Sequence, residues 1–270
     1  MTELTGVPET MLWTLHNRAS EALRPDGFIR DREAVRLYQA IAYDYERRFG
    51  RPDGSHATRS AVFDEVVATW MANHPVGTVV ELGCGLETQF QRIDNGRVRW
   101  LCVDVPEAIA VRERFLASSE RCRFIARSAL DLAWMDEVET PEAVFVTAQG
   151  LLMYFDEADV QRLLTAVIER FPGVEMMFDV IPRWFSRQSV AGLWKTRHYR
   201  VPPMPWGVGR NEIDPLLRGW CPSIRRIRYL PYRRFRGLPW SVVFSLLAGT
   251  PGLRNHAPGM VHVVTGAERD

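Results

Sequence analysis

The stretch VVELGCGLETQF, residues 79–90, gathers the residue types best suited to holding a small ligand. An apolar run leads into Glu81, and Gly83 and Gly85 then flank Cys84 where a buried strand has to turn. Glycine lacks a Cβ and reaches positive φ without strain, so backbone there can approach a bound molecule closely. A second strand-like run, VRWLCVD, ends in Asp104, about twenty residues beyond the glycines. A carboxylate at that distance can accept both hydroxyls of a nucleoside ribose. Just ahead of Pro106, it also suits the N-terminus of a helix, and the two roles are compatible. The dinucleotide fingerprint has a third glycine where this chain has Thr88, and Glu87 stands in the turn. A carboxylate beside a pyrophosphate repels it, so a nucleoside ligand without phosphates fits better. S-adenosylmethionine is such a ligand and is the expected cofactor.

The flanking pattern supplies elements to position these residues. Helices are expected over 9–24, 31–49 and 58–73, broken by RPDGF and GRPDG. The third places Val62, Val66 and either Phe63 or Trp70 on one stripe. Strands are expected at 78–82, 98–104, 122–127, 142–148 and 174–181, with helices at 106–117 and 156–170. The last helix carries Val160, Leu163, Leu164, Val167 and Ile168 along one face. Such alternation implies βαβ units, a mostly parallel sheet and ligands at the carboxyl ends of its strands.

Residues 182–210 break the rhythm with prolines and aromatic rings, and read as a lid over the pocket. Strand-like texture returns at 241–247 and 260–266, an antiparallel pair that would close the sheet. The expected organisation is a helical cap at 1–75, a Rossmann-like α/β core at 76–181, a lid insertion at 182–220 and closing strands at 221–270.

Composition narrows the partners. Lys+Arg number 34 against Asp+Glu 33, a net charge of +1 that creates no global field toward nucleic acid or membrane. Seven arginines and no acid fall in 218–236, which reads as a solvated basic face; recruitment of an anionic substrate and a nucleic-acid surface are the rival readings. Cys84, Cys102, Cys122 and Cys221 lack a repeated short spacing and read as buried free thiols. The opening residues carry acids and no apolar core, and no run of about eighteen apolar residues follows. A cytoplasmic protein is the expectation. The histidines make no HxH or HExxH spacing, so no metal site is expected.

With these residues in view, the chain resembles the leucine carboxyl methyltransferase superfamily, nearest its bacterial branch of polyketide O-methyltransferases. The markers are RPDG at 24–27, VVELGCGLETQFQRIDNG at 79–96, WLCVDVPEAIAVRERF at 100–115, LLMYF at 151–155 and RFPGVEMMFDV at 170–180. The resemblance implies the class I S-adenosylmethionine-dependent methyltransferase fold. It also implies that Arg59 pairs with the cofactor carboxylate, Gly83 and Gly85 line its methionine portion, Asp104 holds the ribose, and Asp131 and Leu132 lie beside the adenine. At 149 the family has glutamate in a run resembling AEG; this chain reads AQG. Gln149 can still accept from the cofactor ammonium, without the charge-assisted part of that bond.

Tyr154, His198 and Arg18 are the candidates for orienting the acceptor, with Lys195, Arg197 and Arg200 as further anion holders. Methyl transfer from a sulfonium is an in-line displacement in which alignment supplies most of the catalysis. A carboxylate acceptor is already ionised near neutral pH, whereas a phenol gains from a base. The expected reaction is O-methylation of a small-molecule carboxylate, with hydroxyl methylation, or a noncatalytic protein keeping the fold, as alternatives.

Overall fold

The computed structural model describes residues 6–232, 234, 236, 250 and 253–266. Among them, helices α1 (Thr10–Ala22), α2 (Arg32–Ala40), α3 (Tyr45–Phe49) and α4 (Ser55–Asn73) precede the first strand, β1 (Thr78–Leu82). Then come α5 (Gln89–Ile93), β2 (Arg99–Asp104), α6 (Pro106–Arg112), β3 (Cys122–Ala126), β4 (Val144–Ala148), α7 (Glu157–Arg170) and β5 (Glu175–Val180). The remainder comprises α8 (Arg183–Ala191), a small hairpin of β6 (Trp194–Thr196) and β7 (Tyr199–Arg200), α9 (Arg210–Trp220), β8 (Ile224–Pro231) and β9 (Gly259–Thr265).

The described strands form a sheet in the order β3-β2-β1-β4-β5-β9-β8. The first five run parallel, and β9 pairs antiparallel with both β5 and β8. β1 and β4 are buried along their whole length, which suits their largely apolar and β-branched composition; Glu81 is the one charged residue in the pair and is buried too. Chain order reverses at the β1–β4 boundary, so a crevice opens beyond the carboxyl ends of these strands.

Helix packing follows the apolar stripes. On α7, Val160, Leu163, Leu164, Val167 and Ile168 are all buried, and they join the sheet, Trp134 and α9 in the largest core cluster. On α4 the large apolar residues that are buried are Phe63, Val67, Trp70 and Met71, while Val62 and Val66 are only half-buried. The apolar residues of α4 nearly encircle it, so spacing alone could not choose the face; docking against Val79, Trp100 and Phe145 does. All four cysteines are buried free thiols. Among the described residues, no helix is long and apolar enough to cross a membrane.

Two expectations change. Residues 182–210 form α8 and the β6–β7 hairpin, and Ile181, Tyr199, Val201 and Met204 pack with Met11, Leu12 and Leu15 of α1 in a separate core. The segment is thus anchored to the N-terminal helices. The partner of β9 is β8, drawn from the arginine-rich stretch. Arg225, Arg226 and Arg228 are exposed on β8, the last strand of the sheet among the described residues. The expected strand at 241–247 lies outside the described residues.

Candidate cofactor and acceptor site

The glycine turn is built as its composition demands. Gly83 and Gly85 both adopt positive φ, +66° and +42°. A Cβ on Gly83 would lie 2.8 Å from Leu151 Cδ1, and one on Gly85 would lie 3.0 Å from Met11 Cβ. The turn is tied to the neighbouring strand by Gly83 N donating to Val103 O at 2.8 Å. Beneath it, the buried Arg112 donates through Nη1 to the carbonyls of Gly85 (3.0 Å) and Glu87 (2.8 Å).

Asp104 closes β2 beside this turn. Oδ2 accepts from Gly85 N and Oδ1 from Val105 N, each at 2.8 Å. An ionised carboxylate has about four lone-pair sites, so acceptor capacity remains on both oxygens. Burial raises its pKa above the ordinary aspartate value, partly offset by the two backbone donors.

Arg59 stands across the crevice, in the second turn of α4. Its Nη1 pairs with Asp179 Oδ2 at 2.9 Å, with both side chains almost fully buried. Its Nε has no partner among the described residues. The guanidinium lies against Gly150, where a Cβ would come within 2.7 Å of Nη1; Gly150 itself has φ +67°. Next to it, Gln149 Oε1 accepts weakly from Ser60 Oγ at 3.4 Å, and Nε2 has no partner among the described residues. As placed, Gln149 offers a free donor rather than the acceptor that the family pattern leads one to expect.

Glu87 is the most heavily bonded carboxylate in the site. It accepts from Ser60 Oγ (2.9 Å), Thr88 N (2.8 Å) and Arg92 Nη1 (2.6 Å), with Arg18 Nη1 3.1 Å away. Burial opposes its charge, but the guanidiniums of Arg18 and Arg92 outweigh that and hold its pKa below the usual carboxylate range. Arg18 is consumed in the same lattice, bonding Leu86 O at 2.7 Å and pairing with Asp31 at 3.4 Å. Arg18 therefore braces the turn, and its guanidinium is already bonded rather than free for an acceptor's anion.

These groups wall one cavity of about 330 Å³. It brings together Arg59, Gly83, Gly85, Asp104, Gln149, Arg18 and Tyr154. The volume lies within the range of small-molecule sites, roughly 300–1,000 Å³. Tyr154 ends the turn Leu152–Tyr154, and burial pushes its phenol up to about 12.

Six expected residues are placed elsewhere. Asp131 is exposed, caps the turn at 132–137 by accepting from Ala133 N (3.3 Å), and pairs with Arg127 at 2.5 Å. Leu132 packs toward the sheet core, and Ser128 and Ala129, a turn earlier, take the wall position. The chain folds back between Ser128 and Asp131 (Asp131 N to Ser128 O, 3.0 Å), which carries both away from the crevice. His198 sits on the β6–β7 turn, accepting from Arg197 Nε at 2.9 Å, and does not line the cavity. Partial desolvation and the charges of Arg47, Arg197 and Arg48 lower its pKa. Lys195 is 4.7 Å from the Trp13 ring centroid and 3.9 Å from Asp53; neither it, Arg197 nor Arg200 faces the cavity.

The described wall above the turn comes from the start of α1, with Thr10, Met11 and Thr14 beside Val7 and Pro8. Sequence reading missed this wall and Asp179. An aspartate inside the apolar run MMFDV was a usable signal, because a charge in a buried strand requires a partner. Nothing local marks α1 as a cavity wall.

The parallel sheet with its reversed order, and the glycine turn facing an acidic strand end, define a Rossmann-like, class I S-adenosylmethionine-dependent methyltransferase fold. A model of the leucine carboxyl methyltransferases matches residues 12–168, over half of the sequence, and the chain belongs to that family. It is 36% identical over 187 residues to the tetracenomycin polyketide synthesis O-methyltransferase TcmP of Streptomyces glaucescens, a match covering 68% of this chain and 69% of that one. The S-adenosyl-L-methionine-dependent methyltransferase dpfgK of Gibberella zeae is 29% identical over 199 residues, covering 65% and 66%. Among solved structures, the plantazolicin methyltransferase BamL, in complex with a triazolic desmethylPZN analogue and SAH, superposes with a TM-score of 0.51 at 10% identity, covering 96% and 98%. A protein from Bordetella parapertussis described as possibly exported gives 0.56 at 14% identity, covering 96% of each chain. At such identities these structures speak to the fold alone.

Proposed function

We propose that this protein is an S-adenosylmethionine-dependent O-methyltransferase that converts a carboxylate on a small, ring-containing metabolite to its methyl ester. The observation that carries the reading is the single cavity in which Arg59, the glycine turn, Asp104 and Gln149 converge. The cavity fits the cofactor in its polar groups. With Nη1 spent on Asp179, Arg59 keeps an unpartnered Nε beside Nη2, and a guanidinium edge binds a carboxylate through two parallel N–H bonds. The free amide of Gln149 is a second donor to the same carboxylate. Asp104 retains lone pairs for ribose hydroxyls, and Gly83 and Gly85 line the cavity where the methionine chain would run. When bound, S-adenosylmethionine supplies an electrophilic methyl group.

The choice of a carboxylate acceptor rests on the proton acceptors that line the cavity among the described residues. Asp104 is engaged by two backbone donors and is assigned to the ribose, which leaves Glu87 and Tyr154. Glu87 is held ionised by two arginines and is a poor base. Tyr154, near 12, stays protonated at neutral pH and serves as a hydrogen-bond donor that orients an acceptor oxygen. A carboxylate needs only such orientation. The O-methyltransferase name of the Streptomyces relative, at 36% identity, supports oxygen as the target and a polyketide-like acceptor.

The test uses methyl-labelled S-adenosylmethionine with paired aromatic carboxylic acids and phenols of the same ring system. Label released as methanol by mild alkali is the expected result. Alkali-stable label would move the reading to hydroxyl methylation, and transfer to neither would favour a noncatalytic role.

A further inference from the structure

We propose that Asp179, steadied by Tyr232, is the positioning residue for the amino-acid end of the cofactor. The proposal rests on the cofactor reading above and adds a residue that the reading does not require. Asp179 lies near the end of β5 and is 3% exposed. Its two oxygens reach different parts of the site. Oδ2 pairs with Arg59 Nη1 at 2.9 Å, while Oδ1 accepts the backbone N–H of Gly150 at 2.5 Å. Tyr232, just beyond β8, approaches Oδ2 through its hydroxyl at 3.4 Å. Burial keeps that phenol protonated, so it is the donor in this contact.

One carboxylate therefore sets the relation between two elements distant in sequence. Arg59 belongs to α4, and Gly150 to the turn after β4 that presents Gln149. The guanidinium rests against Gly150 with no space for a Cβ, so a shift of either element moves the other. By engaging Nη1, Asp179 leaves the Nε–Nη2 edge as the side available to a carboxylate. The same contact balances a buried cation that would otherwise stand without a counter-charge.

An amide at 179 would break this arrangement. Asparagine has one acceptor oxygen and one donor nitrogen, whereas Arg59 and Gly150 both donate. One of them would face another donor, and the guanidinium would rotate out of register with Gln149.

The experiment compares two ligands sharing the adenosine portion. S-adenosylhomocysteine carries the amino-acid end; 5′-methylthioadenosine lacks it. By calorimetric titration, Asp179→Asn should weaken S-adenosylhomocysteine about tenfold to a hundredfold and leave methylthioadenosine unchanged. Tyr232→Phe should shift the same ratio in the same direction by about twofold to fivefold. A merely structural role would weaken both ligands equally; that result, or no change for either, overturns the proposal. Should Asp179→Asn fail to fold, Tyr232→Phe decides alone, and an unchanged ratio overturns it. Failure of the unmodified protein to bind S-adenosylhomocysteine would instead overturn the cofactor reading.

Discussion

Gly83 and Gly150 are the residues at which the smallest change should do most harm. Each combines a positive φ with a neighbour where a Cβ would stand, Leu151 in one case and the Arg59 guanidinium in the other. Gly83→Ala should cost about 1–2 kcal/mol from backbone alone, before any collision is counted. Its denaturant midpoint should fall together with cofactor affinity. Gly150→Ala should act more on affinity, because Arg59 is the group displaced; equal affinity in calorimetry would contradict that geometry. Asp104 adds a pH signature. Its pKa is raised by burial, and only the ionised form offers both oxygens to a ribose. Cofactor affinity should be complete above that pKa and decline as pH falls through it, beginning at higher pH than for an exposed aspartate. Asp104→Asn should bind more weakly and flatten the profile; an unchanged profile would remove Asp104 from ligand contact.

Among the elements, α1 and the segment after β5 exchange the roles expected of them. The aromatic and proline-rich stretch at 182–210 reads as a lid, yet it packs on α1 through Tyr199, Val201 and Met204, and the cavity wall is the start of α1. Hydrogen exchange should therefore show cofactor-dependent protection over residues 7–18, with little change over 183–200. The opposite distribution would restore the lid. By contrast, α7 was fully legible: five apolar positions repeating at helical spacing are the five that are buried. A helix with one narrow stripe against a sheet leaves one solution. α4, apolar nearly all round, leaves several.

At the scale of the whole molecule, an ion-pair lattice joins α1, α2 and α4 to the turn after β1, tying the helical cap to the core. Arg18, Asp31, Asp64, Glu87 and Arg92 all take part. Glu87 has a depressed folded-state pKa, so its contribution is present above the unfolded value, near 4.3, and is lost as pH falls from there toward the folded value. Chemical denaturation followed against pH should show stability decaying over that acidic window. Glu87→Gln should be less stable at neutral pH and flatter below it; parallel curves would show that the lattice does not govern acid sensitivity.

Local order along the chain determined the α/β class, the glycine turn, the acidic strand end, the α7 face and the thiol character of the cysteines. Each is written in adjacent residues or in a repeat of two or nearly four. Tertiary structure alone decided which residues meet. Arg59 finds Asp179 across more than a hundred positions, and the N–H of Gly150 finds the same carboxylate from another strand end. Arg18, a free cation by sequence, becomes a brace because α1 docks over Leu86 and Glu87. Asp131 leaves the site because the chain turns back at Ser128. Periodicity reports which face of an element is buried; it carries no information on what that face will touch, since this depends on how separate elements dock.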